Sequence, residues 1–255
     1  MKTKAGVAGF DGLSKVFIGA VLVSGTVVLG EAMLLRGFSH QAWFIYIGVM
    51  AVVASRFKVS LPGLNGNMSV NLPFILLAVA VLSFSEAVTV AALSTLVQCL
   101  PRAGKRSTAV QVAFNMCNMM NAVALGFLGV GLLTRTNLHE KAVILGVTGA
   151  IFFLAQTVPV ATVISLTEHL KVQRVWREVA SLTLPYFVLS AGVAAISLMA
   201  MHTTRPSAAD YLHWSIPALA MTLMYFTYRS FHLYFRPVAE AEVKPAQAMA
   251  AMAGR

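Results

Sequence analysis

Apolar residues run along this chain in long stretches, each closed by a short polar or basic connection. Segments such as 142–153 and 182–201 are apolar on nearly every face of a helix, without the strict alternation of a transmembrane β-barrel. A helix satisfies its own backbone groups, so it is the structure expected for such segments in hydrocarbon. The pattern predicts spans at about 13–35, 40–56, 70–84, 86–100, 109–133, 142–167, 180–201 and 213–235. The expected fold class is all-α, a polytopic transmembrane helical bundle of about eight spans, given roughly 20 apolar residues per crossing. One membrane domain would occupy residues 1–236. Residues 237–255, rich in Ala, Pro and Met, read as a short disordered cytoplasmic tail.

Spans three and four are short. About 15 residues at 1.5 Å per residue cover some 23 Å, less than a hydrocarbon core of about 30 Å. They either cross as a tight pair or form a re-entrant hairpin, and both arrangements leave every other connection on the same side. Lys2 and Lys4 precede the first apolar segment without a small-x-small cleavage pattern, so that segment is expected to be a retained helix.

Composition supports a membrane location. The 255 residues are 58% hydrophobic and 11% charged, with a mean hydropathy of +0.77. A soluble domain carries about 25% charged residues. The net charge of +10 does not point to nucleic acid, because the basic residues are scattered among short connections and form no single patch. Of the 19 Lys and Arg residues, all except Arg36, Arg135, Lys141 and Arg205 fall on the side that holds the termini. The positive-inside rule then places both termini in the cytoplasm. A multi-pass protein of a bacterial inner membrane is the expected location, with the lipid bilayer as its first partner. Aromatic residues from Tyr225 to Phe235 mark the cytoplasmic interface. Cys99 and Cys117 lie in apolar segments and read as packing residues.

Several polar groups stand out against this background. The segment from Arg56 to Phe74 holds two turn signals, Pro62-Gly63 and Asn65-Gly66, then Asn67, Ser69 and Asn71 ahead of Pro73. It reads either as a cytoplasmic turn with a helix N-cap or as a loop that folds back to present amides to a ligand. Asn115, Asn118 and Asn121 recur every three residues along one side of span five. They read as interhelical polar glue or as the lining of a polar pocket that Gln98 and Gln156 would join. Pro159 is expected to kink span six.

Glu31 and Glu86 lie near the outer ends of their spans, shallow enough to reach water, yet a carboxylate at membrane depth is also a functional candidate. The outer residues His139, Glu140, His202, Asp210 and His213 have no metal-motif spacing. Glu168-His169 reads as an interfacial cap. No zinc-protease, nucleophile-elbow, Walker or dinucleotide pattern occurs, so no catalytic residue, metal or cofactor is expected.

From Arg56 to Leu133 the chain carries Lys58-Val-Ser-Leu-Pro-Gly, the Met68-Ser69 pair, Asn71-Leu-Pro-Phe-Ile-Leu-Leu, Ser85-Glu86-Ala87 with Leu96-Val97-Gln98, and Ala113-Phe114-Asn115. In these stretches, about a third of its length, it resembles the N-terminal multi-helix membrane sensor region of bacterial signalling proteins with GGDEF or HD-GYP output domains. It departs from them in containing no GGDEF or HD-x-GYP sequence. The resemblance implies a ligand-sensing helical bundle whose output passes through a partner protein.

The reading is a non-enzymatic, sensor-like membrane module that binds a small molecule or a membrane or cytoplasmic protein partner. Its candidate ligand-binding residues are Asn71, Gln98, Asn115, Asn118, Gln156 and Glu86. The alternatives are a small-molecule transporter or its substrate-binding subunit, and a structural subunit of a larger membrane complex.

Overall fold

The computed structural model describes residues 12–35, 37–60, 67–100, 107–135 and 141–200. The predicted span at 213–235, the tail at 237–255, both turn signals between strands and the outer residues His139, Glu140, His202, Asp210 and His213 lie outside them. Seven helices are described: α1 (Gly12–Leu35), α2 (Gln41–Ser55), α3 (Leu72–Val81), α4 (Phe84–Cys99), α5 (Ala109–Arg135), α6 (Lys141–Glu168) and α7 (Val172–Ala200). Between α2 and α3, β1 (Lys58–Ser60) and β2 (Asn67–Ser69) form an antiparallel ladder with Lys58 opposite Ser69 and Ser60 opposite Asn67.

Four helices, α1, α5, α6 and α7, are long and apolar enough to cross a membrane. Their outward faces carry large apolar side chains such as Val16, Val27, Leu34, Leu128, Leu132, Val188 and Ile196. A bilayer is the environment in which such faces lie at no cost, since lipid tails are as apolar as the side chains themselves.

α3 differs from all of these. Its residues from Leu72 to Val79 are all buried, so a helix apolar on every side is enclosed by protein instead of lipid. Ten residues rise only about 15 Å, half of a hydrocarbon core. α3 packs against α2, α4 and most extensively α7. A two-residue turn, Leu82-Ser83, leads from it into α4.

That turn is tied to the connection between α1 and α2. Ser83 is the N-cap of α4 and forms a capping box with Glu86, which satisfies two orphan donors of the helix start. The Glu86 carboxylate, 0% exposed, also accepts the His40 backbone N–H at 2.8 Å and lies 3.4 Å from His40 Nδ1. The Ser83 hydroxyl reaches the Gly37 carbonyl, and Ser85 Oγ donates to the Ala32 carbonyl at 2.7 Å.

Close contacts hold the long helices together. A Cβ added at Gly25 of α1 would stand 2.6 Å from Cys117 Cα of α5, so only glycine permits this approach. Asn121 Nδ2 donates to Ser24 Oγ at 2.8 Å across the same interface. α6 ends with His169 in the left-handed region, φ 54°, while the Leu170 N–H donates to the Ser165 carbonyl at 3.1 Å. This is the bonding of a Schellman cap, and it turns the chain back within a few residues.

α7 starts at Val172, eight residues before the predicted span. The extra turns are amphipathic: Val175 and Val179 are buried, while Arg174, Arg177 and Glu178 are exposed. Hydropathy places an apolar span correctly but stops short where a helix continues into the polar interface.

Candidate functional site

The first turn of α3 lies inside the protein. Asn71, 2% exposed, stands at the N-cap position, but its side chain makes no capping bond. Its Oδ1 instead accepts the Ser69 hydroxyl at 2.6 Å, and its Nδ2 donates to Ser94 Oγ of α4 at 3.4 Å. The cluster is closed by Tyr186 of α7. Its hydroxyl donates to the Ser69 carbonyl at 2.6 Å and accepts the Leu72 N–H at 3.2 Å. Pro73 has no N–H to satisfy, and the Phe74 and Ile75 amides reach the Asn71 carbonyl at 3.1 and 3.2 Å.

Depth follows from α7. Its cationic turns end near Val179, and Tyr186 lies seven residues further, roughly 10 Å along the helix axis. The polar cluster therefore sits well inside the apolar part of the bundle. There a hydrogen bond is electrostatically stronger than in water, and an unpaired polar group is costly.

Two hydroxyls near this cluster have no hydrogen-bond partner among the described residues: Thr95 Oγ1, next to Ser94, and Ser190 Oγ, one turn beyond Tyr186. Both residues are buried, at 2% and 0% exposed. Other helix hydroxyls in the bundle fold back onto the carbonyl four residues earlier, as in Thr89, Thr148, Thr183 and Ser197.

The remaining candidates separate. Asn118 and Gln156 form a reciprocal pair between α5 and α6. Asn118 Nδ2 donates to Gln156 Oε1 at 3.3 Å, and Gln156 Nε2 donates to the Asn118 carbonyl at 3.3 Å. This is the polar-glue arrangement. Asn115, exposed, directs Nδ2 to Cys99 Sγ at 3.7 Å. Gln98 is half-buried, one turn along α4 from Ser94 and so on the same face as it.

Glu86 is at the other end of α4, roughly 18 Å from Gln98 along the axis. Its carboxylate is occupied by Ser83 and His40. The structure thus brings Asn71 and Ser94 together, places Gln98 one turn away, and engages Asn118, Gln156 and Glu86 in packing contacts. Sequence reasoning passed over Tyr186. A tyrosine about two turns inside a predominantly apolar span was the available signal, since its hydroxyl needs a partner in hydrocarbon.

No protein-family model matches this chain, and no curated protein or solved structure matches it.

Proposed function

We propose that this chain is a non-enzymatic, sensor-like module of a bacterial inner membrane, with about eight spans and both termini in the cytoplasm. It binds a small hydrogen-bonding molecule at the start of α3. The observation that carries the reading is the cluster of Ser69, Asn71, Ser94 and Tyr186 at the buried end of a half-length helix. Irregular backbone is tolerated at membrane depth where it is enclosed by protein or lines a cavity. The hydroxyls of Thr95 and Ser190, unpartnered among the described residues, add hydrogen-bonding capacity to this region. The resemblance to sensor regions of cyclic-dinucleotide signalling proteins points the same way, with the output carried by a partner protein. The gathering of cationic connections on one side supports the orientation.

A thermal-shift screen of small polar metabolites against the detergent-purified protein tests this reading. At least one compound class is expected to raise the unfolding temperature of the parent protein. Asn71→Ala should remove that shift, and Asn115→Ala should keep it. A shift that survives Asn71→Ala, or a screen in which nothing stabilises the parent, counts against the site.

The half-length α3 also favours a second reading, a small-molecule transporter, because broken helices whose ends stop inside the bilayer frame substrate sites in such proteins. Uptake of the stabilising compound by proteoliposomes holding this chain alone would select transport over sensing.

A further inference from the structure

We propose that the tip of the α6–α7 hairpin, from Pro159 to Pro185, is a hinged arm whose angle against the bundle is set by the bonds of the Tyr186 hydroxyl to Ser69 and Leu72. Both prolines lie inside their helices. Each lacks the N–H that would close a helical bond, to the Ala155 carbonyl in α6 and the Ser181 carbonyl in α7, so each opens a gap in its backbone ladder. The gaps fall in adjacent, antiparallel helices.

Packing divides at the same places. Ala161, Val175 and Val179 form a hydrophobic cluster of their own with Ile164 and Trp176, separate from the main core. All five lie between the two prolines. On α7 the main core resumes with Tyr186 and Phe187, immediately after Pro185. On α6, Val160 and Val163 still touch the main core, and Trp176 Nε1 reaches back past Pro159 to Thr157 Oγ1 at 3.1 Å. The arm is thus internally packed, joined to the bundle at its base, and ends in the Schellman turn at His169.

Tyr186 stands where the arm meets the bundle. A change at the start of α3 that moved Ser69 or Leu72 would pull on the residue directly after the α7 proline. Leverage would carry the motion to the exposed Lys171, Arg174 and Arg177 at the tip. The coupling needs no ligand at the Asn71 cluster.

Deuterium exchange read by mass spectrometry, on the full chain in lipid nanodiscs, tests it with two variants. Tyr186→Phe removes only the hydroxyl. Two hydrogen bonds go with it, so the variant is expected to speed exchange by at least about fivefold, the effect of losing one of them, both in 69–74 and in 160–184, with α1 and α5 unchanged. Pro185→Ala restores the missing helical bond and is expected to slow exchange in 160–184 by a similar factor. Faster exchange confined to 69–74 in Tyr186→Phe would show a local structural role and overturn the coupling, and so would faster exchange throughout the bundle. Parental exchange of 160–184 in Pro185→Ala would overturn the hinge.

Discussion

The carboxylate of Glu86 accepts the backbone N–H of His40 at 2.8 Å, although 46 residues separate them in the chain. This bond joins the entry to α2 with the entry to α4, and the same carboxylate takes the Ser83 N–H and Ser83 hydroxyl, each at 2.8 Å. Glu86→Ala leaves two backbone donors, the His40 and Ser83 N–H groups, without an acceptor, at about 1–3 kcal/mol for each one that stays buried, while the Ser83 hydroxyl keeps the Gly37 carbonyl. The expected result is a marked fall in unfolding temperature in detergent, smaller for Glu86→Gln, which keeps one oxygen. An alanine variant as stable as the parent would show that the clamp contributes nothing.

Asn118 and Gln156 satisfy each other across α5 and α6. Only the Asn118 Nδ2–Gln156 Oε1 bond joins the two side chains, the others reaching backbone carbonyls. Asn118→Leu leaves Gln156 Oε1 without its donor and Gln156→Leu leaves Asn118 Nδ2 only a long bond, so each should destabilise by about 1 kcal/mol. The double variant should cost clearly less than the two losses added together. Chemical denaturation of the four proteins in one detergent measures the coupling, and additive losses would contradict a direct pair.

Gly25 lies against Cys117 so closely that a β-carbon has no room beside the Cys117 backbone. Gly25→Val should push α1 from α5 and destabilise by about 1–3 kcal/mol, as overpacking does in tight cores. A thermal melt is the measurement, and Gly30→Val provides the contrast, because none of the described residues lies within 4 Å of a Cβ built there.

Thr95 Oγ1 is buried without a partner among the described residues. Thr95→Val keeps the shape and removes the polar group, so the purified protein should gain about 1 kcal/mol of stability. A loss would mean that the hydroxyl meets a bound molecule in the preparation, and that loss should then track occupancy of the Asn71 site.

Orientation is open to direct labelling of single-cysteine variants in intact cells. A membrane-impermeant thiol reagent should reach the 202–210 connection and leave the 102–106 connection unlabelled. The reverse pattern would invert the proposed topology.

Long apolar runs and the turn signals between them determined, without any tertiary information, that the described residues are mostly helical and where those helices lie. α1, α2, α5 and α6 start and stop within a few residues of the predicted spans because each of those apolar segments must close its own backbone bonds. α7 was placed short at one end, where its first turns bury Val175 and Val179 while exposing Arg174 and Arg177, a pattern that mean hydropathy hides. The site was less legible. Asn71 stood out as a polar residue between turn signals and an apolar helix, but its partner Ser94 lies 23 residues away, and Tyr186, which bonds its neighbours Ser69 and Leu72, more than 100. Which polar groups meet across a bundle depends on helix rotation and crossing, and in lipid these are set by close packing of small residues and interhelical bonds instead of by a hydrophobic face. Tertiary structure therefore decided that Glu86 meets His40 and Ser83, that Asn118 meets Gln156, that α3 is sheathed in protein, and that the hydrogen-bonding cluster forms at its first turn.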